Sequence, residues 1–206
     1  MTYARYTQFS YDPARREEVL EHWRDPETSH PTNEHGFVQG FVFDSVEQPG
    51  TLRVVTLWAE PEQFDAYFAS PGHQAIGGSM GKRSAEITVR DGLTDVLLLT
   101  PPAPAKRDDA GHVRIIRARI RDNADIPALR EFWQKSGRAA LETAPGCHGA
   151  RAYVDEPAGL FVMQVWWADA ETATAFVESD GHEQALTVPL DQWVDRIDRA
   201  NATPLD

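Results

Sequence analysis

The chain has 206 residues, enough for one large domain or two small ones. Hydrophobic residues make up 41%, charged residues 25%, and the formal net charge is -12, a balance that repels phosphate backbones and argues against nucleic acid as a partner. No run approaches the ~20 apolar residues of a membrane span, MTYARYTQFS lacks the apolar core of a secretory leader, and the single cysteine, Cys147, cannot close an internal disulfide; a reducing, cytoplasmic setting is expected.

The elements come in two copies. Residues Tyr3 to Tyr11 read as a strand, and Asp12-Pro13 as a helix start, with Asp as N-cap and Pro in the first turn. Val19, Leu20 and Trp23 give that helix an apolar stripe, which Pro26 and Pro31 interrupt. Two strands follow, Phe37 to Asp44 and Leu52 to Trp58, joined by a turn at Gln48-Pro49-Gly50. Glu60-Pro61 opens a second helix with Phe64, Tyr67 and Phe68 on its buried face. A strand over Ala85 to Arg90 and a separate apolar run, Val96 to Leu99, end the copy. Residues 100–112, TPPAPAKRDDAGH, carry proline, alanine and charge without apolar periodicity, as a linker does.

The second copy repeats the pattern with a longer first helix, Ile126 to Ala144, closed by Pro145-Gly146. Trp58 matches Trp167 and His73 matches His182 at an offset of 109; Trp23 matches Trp133 and Gly36 matches Gly146 at 110. The change of offset falls in the turn VEQPG against DEPAG, where length is tolerated. Residues 190–200 fit a strand or a helix equally well. A repeat of about 100 residues is a duplicated domain rather than a solenoid. The expected division is 1–100, a linker at 101–111, and 112–206. Each copy has the order β-α-β-β-α-β, so the expectation is an α+β protein of two tandem ferredoxin-like units packed sheet to sheet as a pseudo-dimer.

A β-α-β-β-α-β unit with a tryptophan ending its third strand, a helix after it and then Ser70-Pro71-Gly72-His73 resembles the antibiotic biosynthesis monooxygenase family, of the dimeric α/β barrel superfamily. The resemblance implies a small aromatic molecule as partner; whether the chain dimerises again is left open. It also implies diverse activities. Quinone-forming members oxidise anthrone-type polyketides with oxygen and without metal or flavin, using an asparagine four positions before the strand-ending tryptophan; here Val54 and Met163 stand there. Haem-degrading members use a first-strand asparagine, a second-helix tryptophan and a histidine about ten residues later. Tyr67 and Phe176 occupy the helix position, Gly77 and Leu186 the histidine position, and the three asparagines, Asn33, Asn123 and Asn201, lie outside the first strands.

What remains is aromatic and imidazole chemistry. Trp58 can orient a flat ring, and His73 or His22 can take a phenolic proton as general base, with Tyr67 beside them. Trp23, Arg53, Thr56, His35, Trp133, Trp167 and His182 are the candidate substrate contacts. Each also has a plainer role: a tryptophan at helical spacing packs a core more often than it lines a pocket, and a histidine after a helix often bonds only to backbone. Polar candidates concentrate in the first copy, where the interrupted helix is expected to open the cleft. His30 and His35 do not have the spacing of a metal pair, and no metal or other cofactor is expected. Cys147 reads as a small structural residue. Arg117, Arg119 and Arg121 alternate along the second copy's first strand, as a salt-bridged or exposed row does. The function expected is a cofactor-independent monooxygenase acting on a planar aromatic molecule; the alternatives are a non-catalytic small-ligand or stress-response protein, and a haem-binding or haem-degrading protein.

Overall fold

Strand alternation and two helix caps build the same motif twice. A computed structural model describes residues 3–24, 33–73, 86–99 and 110–205. The chain divides into two units, Met1–Thr94 with Leu205–Asp206, and Asp95–Pro204.

In the first unit, β1 (Tyr3–Ser10), β2 (Phe37–Ser45), β3 (Thr51–Trp58) and β4 (Glu86–Leu99) form an antiparallel sheet in the order β2-β3-β1-β4. Helix α1 (Arg16–Arg24) follows a single 3₁₀ turn whose N-cap, Asp12, accepts the Ala14 N–H at 2.9 Å. Helix α2 (Pro61–Phe68) starts where the Glu60 N–H donates to Gln63 Oε1 at 3.1 Å. Period-2 geometry sends Leu52, Val54, Thr56 and Trp58 to the helix side and Arg53, Val55 and Leu57 to the other. Val19, Leu20 and Trp23 pack with Val42, Leu52 and Val54, which seats α1 on that helix side. A polar contact fixes the same helix: Tyr11 O–H donates to Asp44 Oδ1 at 2.9 Å, and Arg16 Nε and Nη2 donate to Asp44 Oδ2 at 2.9 and 2.6 Å.

The second unit repeats this with β5 (His112–Ile120), β6 (Cys147–Asp155), β7 (Leu160–Trp167) and β8 (Val194–Pro204) in the order β6-β7-β5-β8. Its first helix is α3 (Ile126–Phe132), a wider π-helical stretch (Trp133–Gly137) and α4 (Arg138–Glu142). Helix α5 (Ala170–Val177) is capped by Asp169, which accepts the Thr172 N–H at 2.7 Å. The short α6 (Asp180–His182), a second π-helical stretch (Glu183–Thr187) and α7 (Val188–Leu190) lead into β8. Both helical layers pack on one sheet face: Leu129, Trp133, Ala173 and Leu186 meet Phe161, Met163, Val165 and Trp167.

Each unit is thus ferredoxin-like. Residues 194–204 are strand, paired with β5, which resolves the ambiguity over 190–200. The two apolar runs expected after residue 85 form one strand, β4. The expected change of offset lies where the sequence puts it: residues 46–50 connect β2 to β3, and 156–159 connect β6 to β7. A second change lies just after the first strand, since Tyr3 and His112 each pair with the strand-ending tryptophan, at an offset of 109, while the caps Asp12 and Asp122 are 110 apart. Arg121 forms an ion pair with Asp195 at 2.8 Å inside the second unit, and Arg119 is exposed. Pro26, His30 and Pro31 lie outside the described residues, as do 100–109 of the expected linker. Among the described residues no helix is long and apolar enough to cross a membrane.

Gly36 and Gly146 hold equivalent left-handed positions, φ 84° and 72°, before β2 and β6. Their carbonyls accept the N–H of Ala59 and Ala168, each at 2.8 Å, and so tie strand entry to helix entry. A Cβ on Gly36 would stand 1.9 Å from Gln63 Oε1, and one on Gly146 3.0 Å from the Thr172 side chain. Gly36→Ala and Gly146→Ala are each expected to lower unfolding free energy by roughly 1–2 kcal/mol through φ strain, read by chemical denaturation; unchanged midpoints for both would refute this account of the turn.

Candidate functional site

In the first unit the strand-ending residue becomes the floor of an aromatic cluster. Trp58 is fully buried. Its ring centroid lies 5.5 Å from Phe37, 5.7 Å from Phe64 and 5.3 Å from Tyr67. The indole N–H donates to Thr56 Oγ1 at 3.0 Å. Tyr67 continues outward to His73, centroids 4.9 Å apart, and Phe68 lies 4.6 Å from the same imidazole. Ser70 Oγ accepts the His73 N–H at 3.2 Å, folding the chain so that the imidazole returns toward α2. Tyr67 and His73 are half-buried, and Phe68, expected on the helix's buried face, is exposed. Burial, with Glu34's negative charge adding to it, pushes the Tyr67 phenol up to about 12. At neutral pH it is therefore an O–H donor next to an imidazole.

The second unit has the same order. Trp167 lies 5.0 Å from Phe176, and Phe176 5.1 Å from His182. Ser179 Oγ accepts the His182 N–H at 3.1 Å, and Thr187 Oγ1 lies 3.4 Å from His182 Nδ1. Cys147, Ala173 and Val177 stand where Phe37, Phe64 and Phe68 do, and two polar residues are exchanged. Phe176 replaces the Tyr67 phenol, and Val165 stands where Thr56 does, so the buried Trp167 indole N–H finds no acceptor among the described residues. Between sheet and helices lies a cavity of about 20 Å³, walled by Arg114, Ile116 and Ala118 of β5, Phe161 and Met163 of β7, and His182, Leu186, Leu190 and Val194. That is room for about one water.

The remaining candidates fall elsewhere. Trp23 and His22 are buried on α1, with rings edge-on at 5.7 Å, and Trp23 packs against Phe9 at 5.5 Å. Trp133 is fully buried and stacks on Phe161 at 5.6 Å; a Cβ on Gly137 would come within 2.3 Å of its ring. Arg53 is fully buried on the sheet face away from the helices, where Nη2 donates to Gln48 Oε1 at 3.0 Å. His35 is exposed in the turn before β2. The fold therefore joins Thr56, Trp58, Tyr67 and His73 in one cluster, and Trp167 with His182 in another; Arg53 and His35 belong to neither. Burial pushes the Cys147 thiol up to about 11, which keeps it protonated at neutral pH. Among the described residues no group of three or more His, Cys, Asp or Glu is placed to hold a metal.

Sequence reasoning passed over Arg5 and Arg114. Arg5 pairs with Thr56 across the β1–β3 ladder, and Arg114 with Val165 across β5–β7. Both are on the helix side. The Arg5 guanidinium carbon lies 4.4 Å from the Phe64 ring centroid, and its Nη2 is 3.8 Å from Asp65 Oδ1. The signal was available: a charge kept at one strand position in both copies, 109 residues apart.

The model of a family described as antibiotic biosynthesis monooxygenase matches residues 2–77 and again 111–187. The chain belongs to that family. Its family asparagine positions, Val54 and Met163, both face the helices, Val54 beside Trp23 in the core and Met163 on the cavity wall. Solved structures similar in fold include a candidate monooxygenase from Lactobacillus acidophilus NCFM (TM-score 0.72, 13% identity, 100% of this chain and 94% of that one). An anthrone oxidase-like protein aligns at TM-score 0.72 with 13% identity, over 98% of this chain and 91% of that one. A haem-binding protein from Thermus thermophilus aligns at TM-score 0.60 with 11% identity, over 100% and 91%. Among curated proteins none matches in sequence.

Tyr67 should reveal itself in alkaline titration. Its pKa rises from 10.0 to about 12 on folding, as does that of Tyr11, chiefly by burial and then through Asp44. A raised pKa stabilises the fold fully below pH 10, and that contribution is lost as pH climbs through 12. Tyrosinate absorbance should show a late step near pH 12, smaller in Tyr67→Phe and in Tyr11→Phe; a late step of undiminished size in both variants would contradict the assignment.

Proposed function

We propose that this family member is a cofactor-independent monooxygenase that oxidises a planar, hydroxylated aromatic molecule at the outer face of the Trp58–Tyr67–His73 cluster. The observation that carries the reading is the half-exposed His73 imidazole, 4.9 Å from a neutral phenol that rests on a fully buried indole. The class of substrate follows the family description and the anthrone oxidase-like neighbour.

In this scheme the His73 imidazole takes the acidic proton of an anthrone-type substrate, and the Tyr67 O–H donates to the oxygen on which negative charge collects. The carbanion gives its electrons to dioxygen and a C–O bond forms. The hydroperoxide then loses a second C–H proton as its O–O bond breaks. One CH₂ group and one O₂ thus become one C=O group and one water. His73 is preferred to His22 because His22 is buried on α1, edge-on to Trp23. Trp58 acts from beneath: held by Thr56, it fixes the Tyr67 ring.

The test is oxygen uptake by the purified protein with an anthrone or a hydroquinone, with chelator present and no flavin added. His73→Ala is expected to lower kcat by about 10²–10⁴-fold, as loss of a general base does, and Tyr67→Phe by a smaller factor. Turnover unchanged in both variants would move the chemistry to another site. Absence of uptake by the wild-type protein would favour the non-catalytic binding alternative.

A further inference from the structure

Helix α1 has 9 residues, Arg16–Arg24. A helix that short is not held by its own hydrogen bonds; packing of its apolar face keeps it ordered. That face is Val19, Leu20 and Trp23, and the cluster they enter is filled by Tyr11, Val42, Leu52 and Val54. The N-terminal end also has a polar tie, since Arg16 donates to the buried Asp44. A further contact comes from far along the chain.

The first unit contains Leu205–Asp206 as well as Met1–Thr94. Leu205 is the residue directly after β8, and it joins the first unit's core in two ways. Its backbone N–H donates to the Val42 carbonyl at 3.0 Å. Its half-buried side chain packs against the cluster that α1 forms with β2 and β3. Val42 is itself a member of that cluster and pairs with Val54 across the β2–β3 ladder. The two contacts support each other. The hydrogen bond sets the rung at which the leucine lies, and the leucine covers apolar surface that water would otherwise reach.

We propose that Leu205 is a clasp on α1: residue 205 locks the first helix of the first unit, and its withdrawal loosens α1 while the rest of the chain stays folded. A protease or a partner that captures this residue thus acts on α1 without touching it. The device concerns the order of α1 and does not depend on the chemistry at Trp58, Tyr67 and His73.

The test is native-state hydrogen exchange on the full chain, comparing the amides of α1 with those of α3. Leu205→Ala keeps the N–H donor and removes most of the side chain. It is expected to speed exchange in α1 about tenfold or more, the scale of losing apolar contact at a partly buried leucine, and to leave α3 within about twofold of wild type. Leu205→Asp, which sets a carboxylate against the apolar cluster, should speed α1 at least as much. Leu205→Met, which keeps the volume, should retain wild-type protection within about twofold. Protection of α1 unchanged in the Ala and Asp variants, an equal rise of exchange in α3, or a Met variant as fast as the Ala variant would each overturn the proposal.

Discussion

Each unit depends on its third strand. β7 is buried along all eight residues, and β3 along all but Thr51 and Thr56. Backbone so enclosed cannot turn to water for its hydrogen bonds, so both edges must be paired, and they are: β3 with β1 and β2, β7 with β5 and β6. A slip of one residue would exchange the two faces and put Arg53 among the helices in place of Val54. The register in turn places Trp58 and Trp167 on the helix side at the last rung, one turn before a capped helix. The cap then sets the helix phase that brings Tyr67 or Phe176 onto the indole and the imidazole onto Tyr67 or Phe176. The Trp–aromatic–His order in both copies is thus a consequence of strand pairing plus one helix cap.

Against this shared frame the two copies differ mainly in polarity. In the first, buried Asp44 takes hydrogen bonds from Tyr11 and Arg16. At the corresponding positions of the second unit, Val154 and Ile126 are buried in an apolar core. Such an exchange is often neutral or stabilising when the apolar set packs well, because desolvating the ions offsets much of their attraction. The same drift replaces Thr56 by Val165 and Tyr67 by Phe176. One consequence has a cost: a buried indole N–H without an acceptor forfeits about 1–3 kcal/mol, and among the described residues Trp167 has no acceptor where Trp58 has Thr56.

Much of the architecture was legible because its signals are local. The caps Asp12, Glu60 and Asp169, the turn glycines and the alternating strands each carry their own signature, and duplication let one copy check the other. Residues 194–204 were not legible, since Trp193 and Ile197 fit a helical stripe as well as a strand; pairing with β5, a non-local interaction, decides it. The site was less legible. Trp58, Trp133 and Trp167 have the size of ring platforms, but all three are essentially fully buried, and what they offer a ligand passes through the residues stacked on them. Arg53 carries charge on the right strand with the wrong parity. Arg5 and Arg114 have the right parity, but a lone arginine in a strand gives no motif, and only the comparison of copies marks them.

That comparison also explains why polarity could diverge at all. A site in a protein of two identical subunits must use one residue for both copies, so any polar group needed at one place is imposed on the other. Two copies in one chain are free of this. A phenol can remain at residue 67 while its counterpart becomes phenylalanine, and a carboxylate and a ring can remain beside residue 5 while residues 174 and 173 become threonine and alanine. Retention is then the informative event. Trp58 and Trp167 are retained because the frame requires them in both units.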